Sequence, residues 1–224
     1  MQDKPLLFDP VTTDFAPVVT RLISGNPDIV CLDTCYSDHV HPICEQLFQQ
    51  GYSGQIISCT MDFYDQVIAK TSKEFMEGVV FQFPDFDDPA LNGDHINFDD
   101  PNGFFAEYNK RHPGEWGAVS WEYASIMDLW KAAAEKAGSA EPDAVIAAMK
   151  EGGKGNHAFS EASWWGNELF GIDNALVGDW PVVVIEDGKA RIKGFGNIPA
   201  WYDAHGELLI KHMTAYDQMW NQRG

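Results

Sequence analysis

No apolar run in this chain of 224 residues approaches the roughly 20 that a bilayer-spanning helix needs. Met1-Gln2-Asp3-Lys4 has neither the basic nor the apolar region of a signal peptide, so the expectation is a soluble chain with no export signal and no membrane insertion. Cations are scarce. Lys and Arg number 15 against 34 Asp and Glu, giving a formal charge of −19 and a surface that repels phosphate backbones, which argues against nucleic-acid binding. Phosphate-cradling loops are missing as well, since neither Gly-x-Gly-x-x-Gly nor a Walker loop occurs. No Gly-x-Ser-x-Gly elbow is present, and Ser37 beside Asp38, His39 and His41 lacks the strand-turn-helix setting of a hydrolase nucleophile. An enzyme therefore ranks last among the functional classes.

Cysteines are few and none forms a CxxC pair. With His39 and His41 between Cys35 and Cys44, a zinc site is arithmetically possible. Cys31 and Cys59, however, read as small buried hydrophobes inside strands, so neither metal nor cofactor is expected. Four cysteines permit three pairings and also none, which leaves the redox compartment open. What the chain does have is 45% hydrophobic and 13% aromatic content, ample for one large domain or two small lobes.

The apolar runs Asp28 to Asp33 and Gln55 to Cys59 flank an amphipathic segment, His39 to Gln50, which is the pattern of a βαβ unit with parallel strands. Thr12, Thr13 and Asp14 precede a helix carrying Phe15, Val18, Val19, Leu22 and Ile23, ended by Gly25-Asn26-Pro27. Ser37 or Asp38 can cap the second helix, with Pro42 in its first turn and Gly51 as its stop. A short helix from Phe63 to about Thr71 and a third strand, Gly78 to Phe83, continue the alternation. Residues 84 to 103 are acidic and turn-rich and read as a crossover loop. Helical periods return over 102 to 112, 118 to 137 and 144 to 151. Asp187-Gly188, between Val182 to Ile185 and Ala190 to Phe195, predicts a hairpin, and Glu207 to Trp220 a final helix. Trp164-Trp165 and Trp201-Tyr202 read as buried anchors for long loops, with cleft walls as the alternative.

These features have a familiar order. Thr-Thr-Asp-Phe-Ala-Pro-Val-Val-Thr-Arg-Leu at 12 to 22, Asn-Pro-Asp-Ile-Val at 26 to 30, Gln-Gln-Gly-Tyr at 49 to 52 and Pro-Asp-Ala-Val-Ile-Ala-Ala-Met at 142 to 149 resemble the periplasmic substrate-binding proteins of ABC transporters for branched-chain and related amino acids. The resemblance implies an α/β, type I periplasmic-binding-protein-like fold with Rossmann-like, flavodoxin-like parallel sheets, in an incomplete two-lobe architecture that looks N-terminally truncated. It assigns 1–83 to part of the second lobe, 84–165 to the crossover and a mainly helical part of the first lobe, and 166–224 to a return to the second lobe. It also implies an amino acid-like ligand clamped between lobes, permease partners and a periplasmic location.

In open α/β sheets ligands bind at the carboxyl ends of the strands. The resemblance singles out Asp62, an acidic group after the second strand, as partner of a ligand ammonium; the alternative is that it caps the next helix. Tyr36, after the first strand, corresponds to the aromatic that covers the ligand, or is an ordinary loop aromatic. Thr34 and Thr60 offer hydroxyls at the same edge. A cytoplasmic ligand-sensing module of the same fold is the rival reading, and an enzyme on a flavodoxin-like sheet the third.

Overall fold

The structure, a computed structural model, describes residues 5–33, 35–97, 100–115 and 119–222. The chain forms two compact units, Met1–Asp85 with Val182–Lys193, and Phe86–Pro181 with Gly194–Gly224. Segment 166–224 is thus shared between the two, with only Val182–Lys193 in the first unit.

In the first unit, helix α1 (Ala16–Ile23) buries Val19, and the Ala16 N–H donates to Asp14 Oδ1 at 3.1 Å. Strand β1 (Ile29–Cys31) leads to α2 (Ser37–Gln49), whose Val40, Ile43, Cys44 and Leu47 repeat at helical spacing and are all buried. The helix starts early enough that Pro42 lies in its interior rather than its first turn, where proline has no N–H to offer the preceding turn. Gly51, at φ +74°, lets the chain turn out of the helix. Strand β2 (Gln55–Ile57), helices α3 (Tyr64–Lys70) and α4 (Lys73–Met76) and strand β3 (Val80–Phe81) follow. β1 and β2 are parallel with Val30 opposite Ile56, and β2 and β3 are parallel through Ile57 and Val80. The predicted parallel βαβ unit is therefore present, with strands shorter than the apolar runs.

In the second unit, the expected crossover loop contains a 3-10 turn at Pro89–Asn92 and the start of α5 (Pro101–Arg111). Asp100 Oδ1 caps α5 by accepting from the Gly103 N–H at 2.9 Å. Helix α6 (Val119–Ala137) packs against α7 (Pro142–Lys150) and against strand β4 (Lys154–His157). Strand β5 (Ser160–Trp165), a helical turn α8 (Asn167–Phe170) and strand β6 (Ala175–Val177) complete an antiparallel sheet in the order β4-β5-β6. Nothing in the sequence reading anticipated this sheet, because Lys154–His157 and Ser160–Trp165 show no alternation of large apolar and polar residues.

Strands β7 (Asp179–Glu186) and β8 (Lys189–Asn197) extend the first sheet to β1-β2-β3-β7-β8, with β7 antiparallel to β3 through Val80–Val184 and Phe81–Val183. Asp187 at φ 47° and Gly188 at φ 76° make the predicted two-residue turn, in which both central residues need positive φ. The last helix, α9, spans Ile198–Ala215, so the expected 207 to 220 is corrected at both ends. Asn197 accepts from the Ala200 N–H at 2.9 Å and Pro199 occupies the first turn, an N-terminal signature that the sequence reading passed over. Gly206 is a tolerated interior residue, close enough to the Tyr202 ring that a Cβ would meet it at 3.0 Å. Trp201 is correspondingly no buried anchor: it stands on α9 and is 52% exposed. Trp164 and Trp165 are half-buried on β5 rather than in a long loop.

Candidate functional site

Since β1 and β2 are parallel neighbours, the connections that leave them emerge at one edge of the sheet. Hydrogen bonds lace that edge. The Leu32 N–H donates to the Ile57 carbonyl at 2.8 Å and the Ser58 N–H to the Val80 carbonyl at 3.0 Å, prolonging both ladders past the strands. Asp33 joins the two exits, its Oδ1 accepting from the Cys59 N–H at 3.1 Å and its Oδ2 from the Cys31 thiol at 2.8 Å. The Thr60 hydroxyl donates to the Cys35 carbonyl, and the Gln82 amide, just past β3, donates to the Cys59 carbonyl.

Asp62 is half-buried beside the start of α2. Its Oδ2 accepts from the Ser37 hydroxyl at 3.3 Å, and its carbonyl oxygen lies 2.6 Å from His41 Nε2. The residue at the N-cap position of α3 is Phe63, in the left-handed conformation at φ 54° and ψ 40° and without a side-chain capping bond. Tyr36 is the N-cap of α2, one residue before Ser37, and is 72% exposed. Its ring centroid is 5.7 Å from that of His39. His39 itself packs among Phe8 and Phe15 and reaches the Pro10 carbonyl at 3.1 Å, so it anchors the N-terminal segment. Thr60 spends its hydroxyl proton on Cys35, while Thr34 lies outside the described residues.

The structure thus brings Asp62, Ser37 and His41 together. Sequence reasoning weighed Ser37 for a nucleophile or a helix cap and His41 for a zinc ligand or a nucleophile's neighbour, whereas Tyr36 takes the N-cap position and Ser37 is the first residue of α2. The spacing of four between Ser37 and His41 on one helix, which puts both on one face, was the usable signal. For the bonds that join Asp33 and Gln82 to Cys59 no local signal existed, because those partners are 26 and 23 positions away in sequence.

The cysteines require correction. Cys31 is exposed at the end of the edge strand β1, and Cys59 lies beyond β2, half-buried. Of the four, Cys44 alone is buried, and no two of them are joined as a disulfide. Although the residue as a whole is exposed, partial burial of its thiol and then the hydrogen bond to Asp33 push Cys31 up to about 11; burial dominates at Cys44, pushed up to about 12. Cys35 is raised by burial and by the Asp33 charge. Thiols so shifted stay protonated at neutral pH and are poor nucleophiles and metal ligands. Among the described residues, no three His, Cys, Asp or Glu side chains are grouped to hold a metal ion, and no helix is long and apolar enough to cross a membrane.

An open α/β sheet with a polar, hydrogen-bonded carboxyl edge is the frame of a small-molecule binding protein. The family model described as periplasmic binding protein matches residues 6–190, and the chain belongs to that family. Its fold is part of the type I periplasmic binding fold. A leucine binding protein from Thermotoga maritima is similar, with 19% identity and a TM-score of 0.64 over 88% of this chain and 52% of the other. A branched-chain amino acid transporter substrate binding protein from Streptococcus pneumoniae, in complex with isoleucine, matches at 14% identity and TM-score 0.59 over 85% of this chain and 50% of its own. An ABC transporter solute binding protein from R. palustris, in complex with 4-hydroxybenzoate, matches at 16% and 0.60 over 85% and 50%. The chain spans about half the length of these solved structures. Compared with curated protein sequences, it matches none. The family and its fold neighbours are solute-binding proteins rather than enzymes.

Proposed function

We propose that this chain carries the ligand-reading sheet edge of a solute-binding protein that delivers a small amino acid or related amphiphile to the permease of an ABC importer in the periplasm. The observation that carries the reading is the meeting of the β1 and β2 exits, where the Ser37 hydroxyl and the Asp62 carboxylate are 3.3 Å apart. In this reading Asp62 receives the ligand ammonium through a charge-assisted hydrogen bond. Tyr36, exposed at the start of α2, covers the ligand's apolar part, and the Thr60 hydroxyl lines the edge. The first unit then belongs to one lobe of the binding protein and the second unit to another.

A second reading is an aromatic carboxylate, favoured by the benzoate and 4-hydroxybenzoate complexes among the solved structures of this fold. The two ligand classes make opposite demands on Asp62, since a carboxylate attracts an ammonium and repels an acid. Calorimetric titration of the chain and of Asp62→Ala with L-leucine, L-isoleucine and 4-hydroxybenzoate separates them. For an amino acid, the substitution costs roughly 1.5 to 3 kcal/mol, the worth of a hydrogen bond to a charged group, or about tenfold to hundredfold in affinity. Unchanged or tighter binding of the best ligand by Asp62→Ala overturns the ammonium role.

A further inference from the structure

Two residues beyond Asp62, Tyr64 opens α3 and reaches across the first unit. Its hydroxyl lies 2.8 Å from Asp85 Oδ1 and 2.7 Å from Oδ2, donating to that carboxylate. The Ala190 N–H donates to the Tyr64 oxygen at 3.0 Å and to Asp85 Oδ2 at 3.1 Å, and the Asp85 N–H returns a bond to the Ala190 carbonyl at 3.0 Å. Arg191 Nη1 stands 3.7 Å from the same carboxylate. These partners have a special place in the chain path. Asp85 is the last residue of the first unit before the chain passes into the second, and Ala190 and Arg191 lie just before Lys193, where it leaves again.

Between Asp62 and Tyr64, Phe63 holds a left-handed backbone that bulky side chains rarely adopt, although the residue is 40% exposed. Strain of this kind persists where the surroundings dictate both sides. On one side Ser37 and His41 hold Asp62; on the other Asp85 and the Ala190 N–H hold Tyr64.

We infer that Tyr64 is a positioning residue that couples the ligand-reading edge at Asp62 to both points where the chain leaves the first unit, through Phe63 on one side and the Asp85–Ala190–Arg191 cluster on the other. This rests on the reading of Asp62 as the ligand's partner. A shift of Asp62 on engaging a ligand rotates a link with no slack at Phe63, and the Tyr64 hydroxyl carries that shift to Asp85 and Ala190. The carboxylate and guanidinium that face the phenol are Asp85 and Arg191, and burial together with the Asp85 hydrogen bond and charge keeps the phenol protonated.

Native-state hydrogen exchange on the whole chain, without ligand, tests the coupling. The Ala190 amide is read against the Ser58 amide of the β2–β3 ladder, in the natural protein, Asp62→Ala, Tyr64→Phe and the double variant. Asp62→Ala is expected to speed Ala190 exchange by at least about fivefold with Ser58 unchanged, and to add less than about twofold once the Tyr64 hydroxyl is gone. An unaltered Ala190 rate in Asp62→Ala, or an equal acceleration with and without the hydroxyl, overturns the inference. Should Tyr64→Phe not fold, Phe63→Gly keeps both end groups and loosens the link, and it is expected to blunt the Asp62→Ala response; an undiminished response overturns the inference equally. Because no ligand enters this measurement, its failure leaves the titrations above intact, and their failure leaves it intact.

Discussion

The two units use helical periodicity in opposite ways. In the first, Val19 on α1, Val40, Ile43 and Leu47 on α2 and Val67 on α3 are essentially out of water, at positions whose helical spacing gives each helix an inward face. In the second, among the described residues, several buried positions are small, such as Ala133, Ala158 and Ala162, while Ile126, Met127 and Trp130 on α6, Ile146 on α7 and Trp201 and Leu208 on α9 remain exposed. Apolar spacing therefore says that a helix has a face to bury, but not that the same chain buries it. The first unit has a sheet of five strands to receive its helices. The second has three short strands, and α6 packs mainly on α7 and β4.

Stability measurements can break or sharpen this contrast. The largest effect is expected for Leu47→Ala, where truncation in a close-packed interior costs about 2 to 5 kcal/mol and lowers the urea midpoint at constant m. A loss under about 1 kcal/mol would mean that the first unit is no better packed than the second.

Next comes Tyr64→Phe, expected to cost about 1.5 to 3 kcal/mol at neutral pH because it removes a hydrogen bond to a charged group. This contribution has a definite pH dependence. The phenol pKa is raised in the folded protein above its ordinary value of about 10, by burial first and then by the Asp85 hydrogen bond and charge. The bond's stabilisation is therefore fully present below pH 10 and is lost as pH rises through the folded pKa. Denaturation midpoints of the natural protein should fall above that pH, and those of Tyr64→Phe should fall less. Parallel curves for the two proteins would remove Tyr64 from the account.

A smaller cost, about 1 to 2 kcal/mol, is expected for Gly188→Ala, because φ is +76° and an L-residue is strained there. The added Cβ would also come within 3.1 Å of the Lys73 side chain. The smallest belongs to Trp130→Ala, which at 43% exposure should shift stability by no more than about 0.5 kcal/mol. A loss several times larger would show that α6 is covered in solution after all.

Legibility followed the range of the interactions. The parallel β1-α2-β2 unit, the Asp187-Gly188 turn and the helices α5, α6 and α7 were all readable within a residue or two, since each depends on local period, a cap or a turn residue. The order of those elements also carried the family. The three-stranded sheet was invisible because its short strands, with Gly155, Ser160 and Ser163 among them, lack an apolar alternation and are defined by their pairing. The start of α9 was missed although Asn197 caps it and Pro199 follows in the first turn, and Gly206 lies inside the helix against Tyr202.

At the candidate site, the sequence by itself determined that Asp62 and Tyr36 leave neighbouring parallel strands, for their positions follow from chain order and strand direction. Only the tertiary structure decided what they meet. Ser37 reaches Asp62 across 25 positions and Ala190 reaches Tyr64 across 126, separations over which no local pattern constrains a partner. Such contacts are selected by how the whole sheet packs, which also holds Phe63 in a backbone conformation that its own side chain disfavours.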